Sequence, residues 1–385
     1  MNIFKVLILF TIGVFLSENL YGQKKDQIDY SELNLMDYKL VLEIEESDIY
    51  FPGILGQLIL TSSGDLIVSD RQKTTVERFS KNGRYRGVVA RKGPGPGEIG
   101  SNSFYLAAGP DNSFIIHYGD TPRIDLFGLE SDGSYQYKES FISQQFDGYH
   151  LDILEWHSDK TFFALKKKWE NEIGLNLLEY RSEETVIFDL STGLVEDSLH
   201  LLKTPNYLFG DPGRFSSPLQ MDGLVFLGHP PYRFHDRLRI RRNGQYVIGR
   251  PGEDKVEFFD NNHRLVREVY LNVKERPVTE VGVDYFLDNN RVAVNRDVRE
   301  ELKKYIADQK PPFLDFWISD DSILMHVDTD IDGKKLVLLS LYGEGIGRIK
   351  ISEYDSIQKF EEKRIYVLHQ NPDATHSIRV YQLIL

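Results

Sequence analysis

Ser63-Gly64-Asp65-Leu66-Ile67-Val68 is echoed without a gap by Asp111-Asn112-Ser113-Phe114-Ile115-Ile116, and again by Asn243-Gly244-Gln245-Tyr246-Val247-Ile248. At one common offset downstream stand Val76-Glu77-Arg78-Phe79, Ile124-Asp125-Leu126-Phe127 and Val256-Glu257-Phe258-Phe259. Each copy reads as a turn, an apolar strand, a short loop and a second strand ending in an aromatic. A repeat of this length built only from short strands predicts radial repetition, hence an all-β chain folded as a β-propeller.

Working outward, blade one is expected at about 57–90, blade two at 103–142, blade three at 151–202 and blade four at 219–273. Blade three is the least regular, because the charged stretch Lys166-Lys167-Lys168-Trp169-Glu170-Asn171-Glu172 interrupts its hairpin. The pattern then breaks over about 277–310. Thr279 can cap a helix with Glu280 in its first turn, and Val298, Leu302, Tyr305 and Ile306 recur at helical spacing before Pro311-Pro312. Two short helices inserted between blades four and five are expected there. Strands resume at Phe313 for blade five, to about Ile351. Blade six, built from 363–368 and 378–383, looks short of strands, and Leu40 to Ile44 is placed to complete it. Closure by that N-terminal strand would remove an open edge and bring the count to six blades.

The bulk properties fit this frame. The chain has 385 residues, 41% of them hydrophobic, with 21 Tyr and 23 Phe, which suits a single domain of many half-buried strands. A net charge of −13 argues against a nucleic-acid partner, which needs a basic footprint. With no cysteine there is no disulfide, thiolate metal site or lipidated-cysteine anchor. Lys5 followed by the apolar run Val6 to Leu16 and then Gly22 reads as a signal peptide, residues 1–22, cleaved before Gln23. Residues 23–36 read as a polar tail and 37–385 as the propeller. Export to the periplasm or the cell exterior follows, and no segment of the mature chain is apolar enough to span a membrane.

With these pieces in order, the chain resembles the NHL-like six-bladed β-propeller proteins exported by Bacteroidota and related bacteria. The resemblance rests on Gly64-Asp65-Leu66-Ile67-Val68-Ser69-Asp70, on Arg91-Lys92-Gly93-Pro94-Gly95-Pro96-Gly97-Glu98, on Arg276-Pro277-Val278-Thr279 and on Ile378-Arg379-Val380-Tyr381-Gln382-Leu383. It covers about 39–385. It implies fold, export and six blades, and little about chemistry, because one propeller frame hosts unrelated functions.

Candidate site residues follow from the loops. The Gly-Pro loop 93–98 lacks the helix start and Gly-Lys-Ser/Thr of a phosphate cradle, and its two prolines remove donors. It is expected as a tight crossover between blades one and two, with Arg91 and Glu98 able to face the central opening. Loops after each blade's second strand hold Asp70, Arg71, Tyr118, Asp120, Arg123, Trp169, Arg250, Glu253 and Asp254. Their mix of charge and aromatics suits a protein, peptide or carbohydrate ligand. Asp328-Thr329-Asp330-Ile331-Asp332-Gly333 carries the alternating carboxylates of a calcium loop, but Leu339 stands where a closing acid belongs, so a solvated hairpin turn is the favoured reading. Calcium bound by Asp328, Asp330 and Asp332 is the only cofactor the sequence suggests. His229 and His235 stand in a Pro-containing loop without a carboxylate in the same run, and no Gly-x-Ser-x-Gly or His-Glu-x-x-His is present. The function expected is therefore a non-enzymatic binding or interaction protein that uses one face of the ring. The alternative is a metal-dependent hydrolase or lyase with a divalent cation near the central channel, where it would polarise a carbonyl or activate water.

Overall fold

Leu66, Ile67 and Val68 are all buried although they are consecutive. Leu66 and Val68 pack into one apolar cluster and Ile67 into another. Phe114 and Ile116 part from Ile115 in the same way, and Tyr246 and Ile248 part from Val247. Successive strand side chains point to opposite faces, so a strand covered on both faces must be apolar at every position. The echoed runs of the sequence are therefore the second strands of sheets sandwiched between neighbours.

The structure is a computed structural model that describes residues 27–45, 53–143, 149–158, 160–168, 180–205, 208–210, 220–221, 224–228, 232–241, 244–289, 299–300, 303–304, 306–330, 333–371 and 375–385. Within them six four-stranded antiparallel sheets form the blades. Strand β1 (Tyr38–Ile44) comes first. Blade one is β2 (Leu55–Leu60), β3 (Leu66–Asp70), β4 (Thr75–Phe79) and β5 (Tyr85–Arg91). Blade two is β6 (Phe104–Ala108), β7 (Phe114–Tyr118), β8 (Arg123–Leu129) and β9 (Tyr135–Ile142). Blade three is β10 (Tyr149–Ser158), β11 (Thr161–Lys168), β12 (Tyr180–Asp189) and β13 (Leu194–Pro205). After β14 (Leu208–Gly210), β15 (Gln220–Met221) and β16 (Leu224–Gly228), blade four is β17 (Arg237–Ile240), β18 (Tyr246–Arg250), β19 (Lys255–Phe259) and β20 (Leu265–Tyr270). Then come β21 (Arg276–Pro277), helix α1 (Glu280–Asn289) and β22 (Gln309–Lys310). Blade five is β23 (Asp315–Ile318), β24 (Ser322–Asp330), β25 (Gly333–Ser340) and β26 (Gly345–Ile351). Blade six is β27 (Asp355–Glu361), β28 (Arg364–Gln370) and β29 (His376–Leu383), with β1 antiparallel to β29 from Tyr38↔Leu383 to Ile44↔Ile378.

Six apolar clusters lie one between each pair of neighbouring blades. The cluster between blades six and one joins Ile44, Leu368 and Ile378 to Leu58 and Val68, so strands β1 and β29 meet the first blade in one core. The first turn of each echoed repeat needs a left-handed residue: Gly64 at φ 84°, Asn112 at 62° and Gly244 at 77°. Gly and Asn are the residues that adopt this conformation at least cost.

Three features differ from the sequence reading, and the expected helical insertion is seen in part. The described residues between Leu208 and Gly228 belong to no blade; β14 and β15 pair with β16 in a separate small sheet, so blade four begins at Arg237 rather than near Leu219. Blade six has an innermost strand, β27, that the sequence hid because its polar Ser356, Gln358 and Lys359 break the apolar run. Helix α1 lies in the expected insertion, with Thr279 Oγ1 accepting the Gly282 N–H at 3.2 Å as its cap; Val298, Leu302 and Tyr305 of the expected second helix lie outside the described residues. Residues 27–36, polar in composition, lie along blades four and five, where Tyr30 is buried and Ile28 and Leu33 pack beside it. The expected signal peptide, 1–22, lies outside the described residues.

Candidate functional site

In a sheet whose strands alternate direction, the loop after the second strand and the connection from the outermost strand to the next blade emerge at the same end. The hydrogen bonds follow that rule. Thr74 Oγ1 donates to Asn102 Oδ1 at 2.7 Å, and Ser101 Oγ to Asp120 Oδ2 at 2.6 Å. Arg123 Nη2 donates to the carbonyls of Gly95 and Glu98 at 3.3 Å each. These loops together make one face of the ring. The small sheet β14–β16 and helix α1 both lie in outer-to-inner connections, so both belong to this face.

Below the face, three blades repeat a clasp. The third strand carries a buried acid at the same place in each echoed repeat: Glu77, Asp125 and Glu257. Asp125 accepts Arg123 Nε at 2.8 Å, Tyr118 Oη at 3.0 Å and Ser140 Oγ at 2.5 Å. Glu257 accepts Arg250 Nε at 2.6 Å and Lys255 Nζ at 2.7 Å, and Arg250 also reaches Asp236 at 2.8 Å. Glu77 accepts Tyr85 Oη at 2.5 Å and Thr75 Oγ1 at 2.9 Å, with Lys73 at 3.4 Å. Burial opposes the charge of Arg250, but its bonds to Glu257 and Asp236 outweigh that and raise its pKa above the usual guanidinium value. Burial and the facing Asp125 carboxylate push the Tyr118 hydroxyl up. Of the sequence candidates, Tyr118, Arg123 and Arg250 are thus held by the acid of their own blade.

The others fall in different places. Arg71 and Asp120 are exposed on the face, and Arg71 lies over the Tyr105 ring at 5.7 Å. The loop 93–98 closes on itself, with Glu98 Oε2 accepting the Gly95 N–H at 2.8 Å and lying against Gly93, where any Cβ would collide with it. Arg91 ends the outermost strand of blade one, so it and Glu98 stand at the rim and do not line the central channel. Asp254 is in the left-handed region at φ 52°, accepts the Val273 N–H at 3.0 Å, and has its carboxyl pKa raised by burial. Asp328 accepts Lys310 Nζ at 2.7 Å, so an ammonium already answers that carboxylate. Trp169, Asp332 and the side chain of Asp330 lie outside the described residues. Among the described residues no group of three His, Cys, Asp or Glu side chains is arranged to hold a metal ion.

The channel supplies residues that sequence reasoning missed. All six innermost strands line a cavity of about 280 Å³, whose polar wall is Gln57, Glu155, Arg239, Asp315, Gln358 and Lys359, with Trp317 beside them. Lys359 Nζ on blade six meets Glu155 Oε1 on blade three at 3.1 Å. Blades three and six are opposite members of a six-membered ring, so this pair spans the bore. Arg239 Nη2 meets Asp315 Oδ1 at 2.5 Å, and its Nε donates to the Phe316 carbonyl at 2.6 Å. Desolvation lowers the Arg239 pKa, while Asp315 and Glu155 pull it back up. The signal that could have found this wall is Arg237-Leu238-Arg239-Ile240-Arg241, an alternation of cations with apolar residues that suits a strand facing a wet bore on one side.

No family profile matches the chain, and no curated protein matches it in sequence. Solved structures do. One described as a member of the DUF4221 family from Bacteroides vulgatus superimposes with a TM-score of 0.53 at 11% identity, over 92% of this chain and 99% of that one. Another, described as a putative exported protein from Bacteroides fragilis, gives a TM-score of 0.49 at 11% identity over 94% and 98%. At this identity the likeness to the first shows a shared fold. Among the described residues no helix is long and apolar enough to cross a membrane.

Proposed function

We propose that the chain is an exported NHL-like propeller, acting in the periplasm or outside the cell, that binds a protein, peptide or carbohydrate at the face carrying its second-strand loops and catalyses no reaction. The observation that supports this most is where the departures from the plain blade pattern fall. The small sheet β14–β16 and the α1 segment both interrupt connections that open on that face. Ligand sites sit where loops on a rigid frame converge. The ion-paired bore agrees, since Glu155 and Asp315 each answer a side-chain cation.

The test uses the mature chain and a panel of mono- and oligosaccharides and short peptides, followed by thermal shift and NMR titration. Arg71→Ala with Asp120→Ala removes two exposed face residues while sparing the clasps. A panel ligand whose binding the double variant loses, with unfolding unchanged, is the expected result. Turnover of any panel compound, or a stoichiometric cation retained after chelator-free purification, would overturn it.

A further inference from the structure

The turns from first to second strand and from third to fourth emerge at the end of the ring opposite the second-strand loops. At that end blade four bears a cavity of about 260 Å³, walled by Arg241, Gln245, Phe258, Phe259, Val266 and Arg267. Among the described residues no carboxylate lines it. Both arginines reach toward blade five. Arg241 Nη1 donates to Gln245 Oε1 at 3.0 Å and Nη2 to the Asp320 carbonyl at 3.1 Å. The Asp320 carboxylate is only loosely engaged, 3.5 Å from Nη2 with its side chain 97% exposed. Arg267 stands opposite Phe258 in the β19–β20 pair. Its guanidinium lies 4.1 Å from the centre of the Phe258 ring and 4.7 Å from that of Tyr342, which belongs to the third turn of blade five.

These two cations share an unanswered donor. The Nε–H of Arg241 and that of Arg267 are both buried, and neither meets an acceptor among the described residues. Arg267 makes no other hydrogen bond or ion pair there either. Blade one shows the same end of the repeat when it is satisfied. Arg78 also lies over an aromatic ring of the next blade, 4.8 Å from the centre of Tyr135. Its Nε donates to Asp65 Oδ2 at 3.0 Å, its Nη2 to the same oxygen at 2.5 Å, and its Nη1 to the Gly133 carbonyl. In the echoed repeat Gln245 stands where blade one has Asp65. Blade four thus keeps the cations at this end and replaces the acid by a neutral amide. Buried polar groups are normally paired, and one left open calls for a partner from outside the chain. A guanidinium donates only in its own plane, as a fork that matches two oxygens of one carboxylate or phosphate.

We propose that this cleft binds a small organic oxyanion, a carboxylate or phosphoryl group on an apolar body the size of one ring. Arg267 and Arg241 take the charged end, in the place that an acid fills in blade one, and Phe258 and Val266 take the apolar end. The volume is close to the lower limit of ligand pockets, roughly 300–1,000 Å³, which suits a body of that size. The site lies at the far end of the ring from the second-strand loops and does not rest on the function proposed for them.

The probes are benzoate, phenyl phosphate and the neutral benzamide, titrated calorimetrically into the mature chain at low ionic strength. At least one of the two acids binds saturably, benzamide binds at least about tenfold more weakly, and the tighter acid identifies the charged group. Arg267→Gln removes the fork and weakens that acid about tenfold, the worth of one charge-assisted hydrogen bond. Gln245→Asp restores the acid of blade one, keeps both arginines, and weakens the ligand by a similar factor because the new carboxylate competes for them. The Arg71→Ala, Asp120→Ala chain binds the acid as the parent does. Benzamide as tight as the acids, no saturable binding of either acid, or an Arg267→Gln or Gln245→Asp chain as tight as the parent would each overturn the proposal. So would loss of the acid in the Arg71→Ala, Asp120→Ala chain, which would place it on the other face.

Discussion

The clasps under the ring face and the pairs inside the bore use the same chemistry, a carboxylate against a guanidinium or ammonium, in opposite ways. Asp125 is fully buried and takes three donors from its own blade. Glu155 keeps about a quarter of its side chain exposed and meets one cation from the far side of the ring. The clasp is local, saturated and repeated in three blades. The cross-bore pair is non-local, unsaturated and occurs once among the described residues. Saturation marks an acid that holds a blade together, and a single solvent-reached partner marks one that adds little to the ring's stability.

The comparison breaks first at Asp125. Removing one partner of a buried, hydrogen-bonded pair costs about 3–5 kcal/mol, because the remaining groups lose a partner they cannot regain from water. Arg123 retains some solvent and its bonds to Gly95 and Glu98, which favours the lower end of that range. Asp125→Ala is therefore expected to lower the urea midpoint by an amount equivalent to about 3 kcal/mol. A loss under 1 kcal/mol would mean that the clasp is no more structural than the bore.

Buried bases without a counter-charge of their own sharpen the contrast through pH. His117, packed between blades two and three, and His326, in blade five, have pKa values lowered from 6.5 to about 4, in both cases chiefly by burial. Asp152 offsets the effect slightly at His117, and Lys167 opposes it. Lys334 adds to it at His326, against Asp315 and Asp328. In the unfolded chain each histidine binds its proton near 6.5, and in the folded chain only near 4. Between those values the unfolded state holds more protons, so stability is full above about pH 6.5 and declines as pH falls toward 4. The loss is on the order of 3 kcal/mol per histidine. Unfolding of His117→Gln followed across that window should recover on the order of 3 kcal/mol of the decline; an unchanged slope would show that His117 is protonated without cost.

The parts of this molecule that were legible in the sequence are those covered on both sides. Leu66-Ile67-Val68 and its echoes feed alternate inter-blade cores and so cannot vary in character, which is why the repeat survives in the sequence. Strand β27 and Leu238 to Ile240 line the bore, where charged and apolar residues alternate as they do on any solvated strand, so the alternation around Arg239 signals a half-solvated strand without telling the channel from the outer surface. The acids at 77, 125 and 257 were visible as part of the repeat, but their partners are not at one constant place: Lys73 precedes the third strand and Arg123 opens it, whereas Tyr118 comes from the second strand and Tyr85 from the fourth. Arg123 and Arg250 look like free loop cations in one dimension because the carboxylates that hold them come into reach only when the sheet forms.

The smallest effect is the most discriminating. Glu155 and Lys359 each retain about a quarter of their side-chain surface, and the pair must hold two long side chains across an open bore. Pairs of this kind contribute about 0–1 kcal/mol. A double-mutant cycle on Glu155→Gln and Lys359→Gln should accordingly give a coupling below about 1 kcal/mol, in the same unfolding assay that registers Asp125→Ala. Salt separates the two regions further. Raising ionic strength to about 1 M shortens the screening length to roughly 3 Å, so a solvent-reached pair loses its coupling while a fully buried clasp keeps most of its own. A Glu155–Lys359 coupling of several kcal/mol that persists in high salt would make the bore a structural tie between opposite blades.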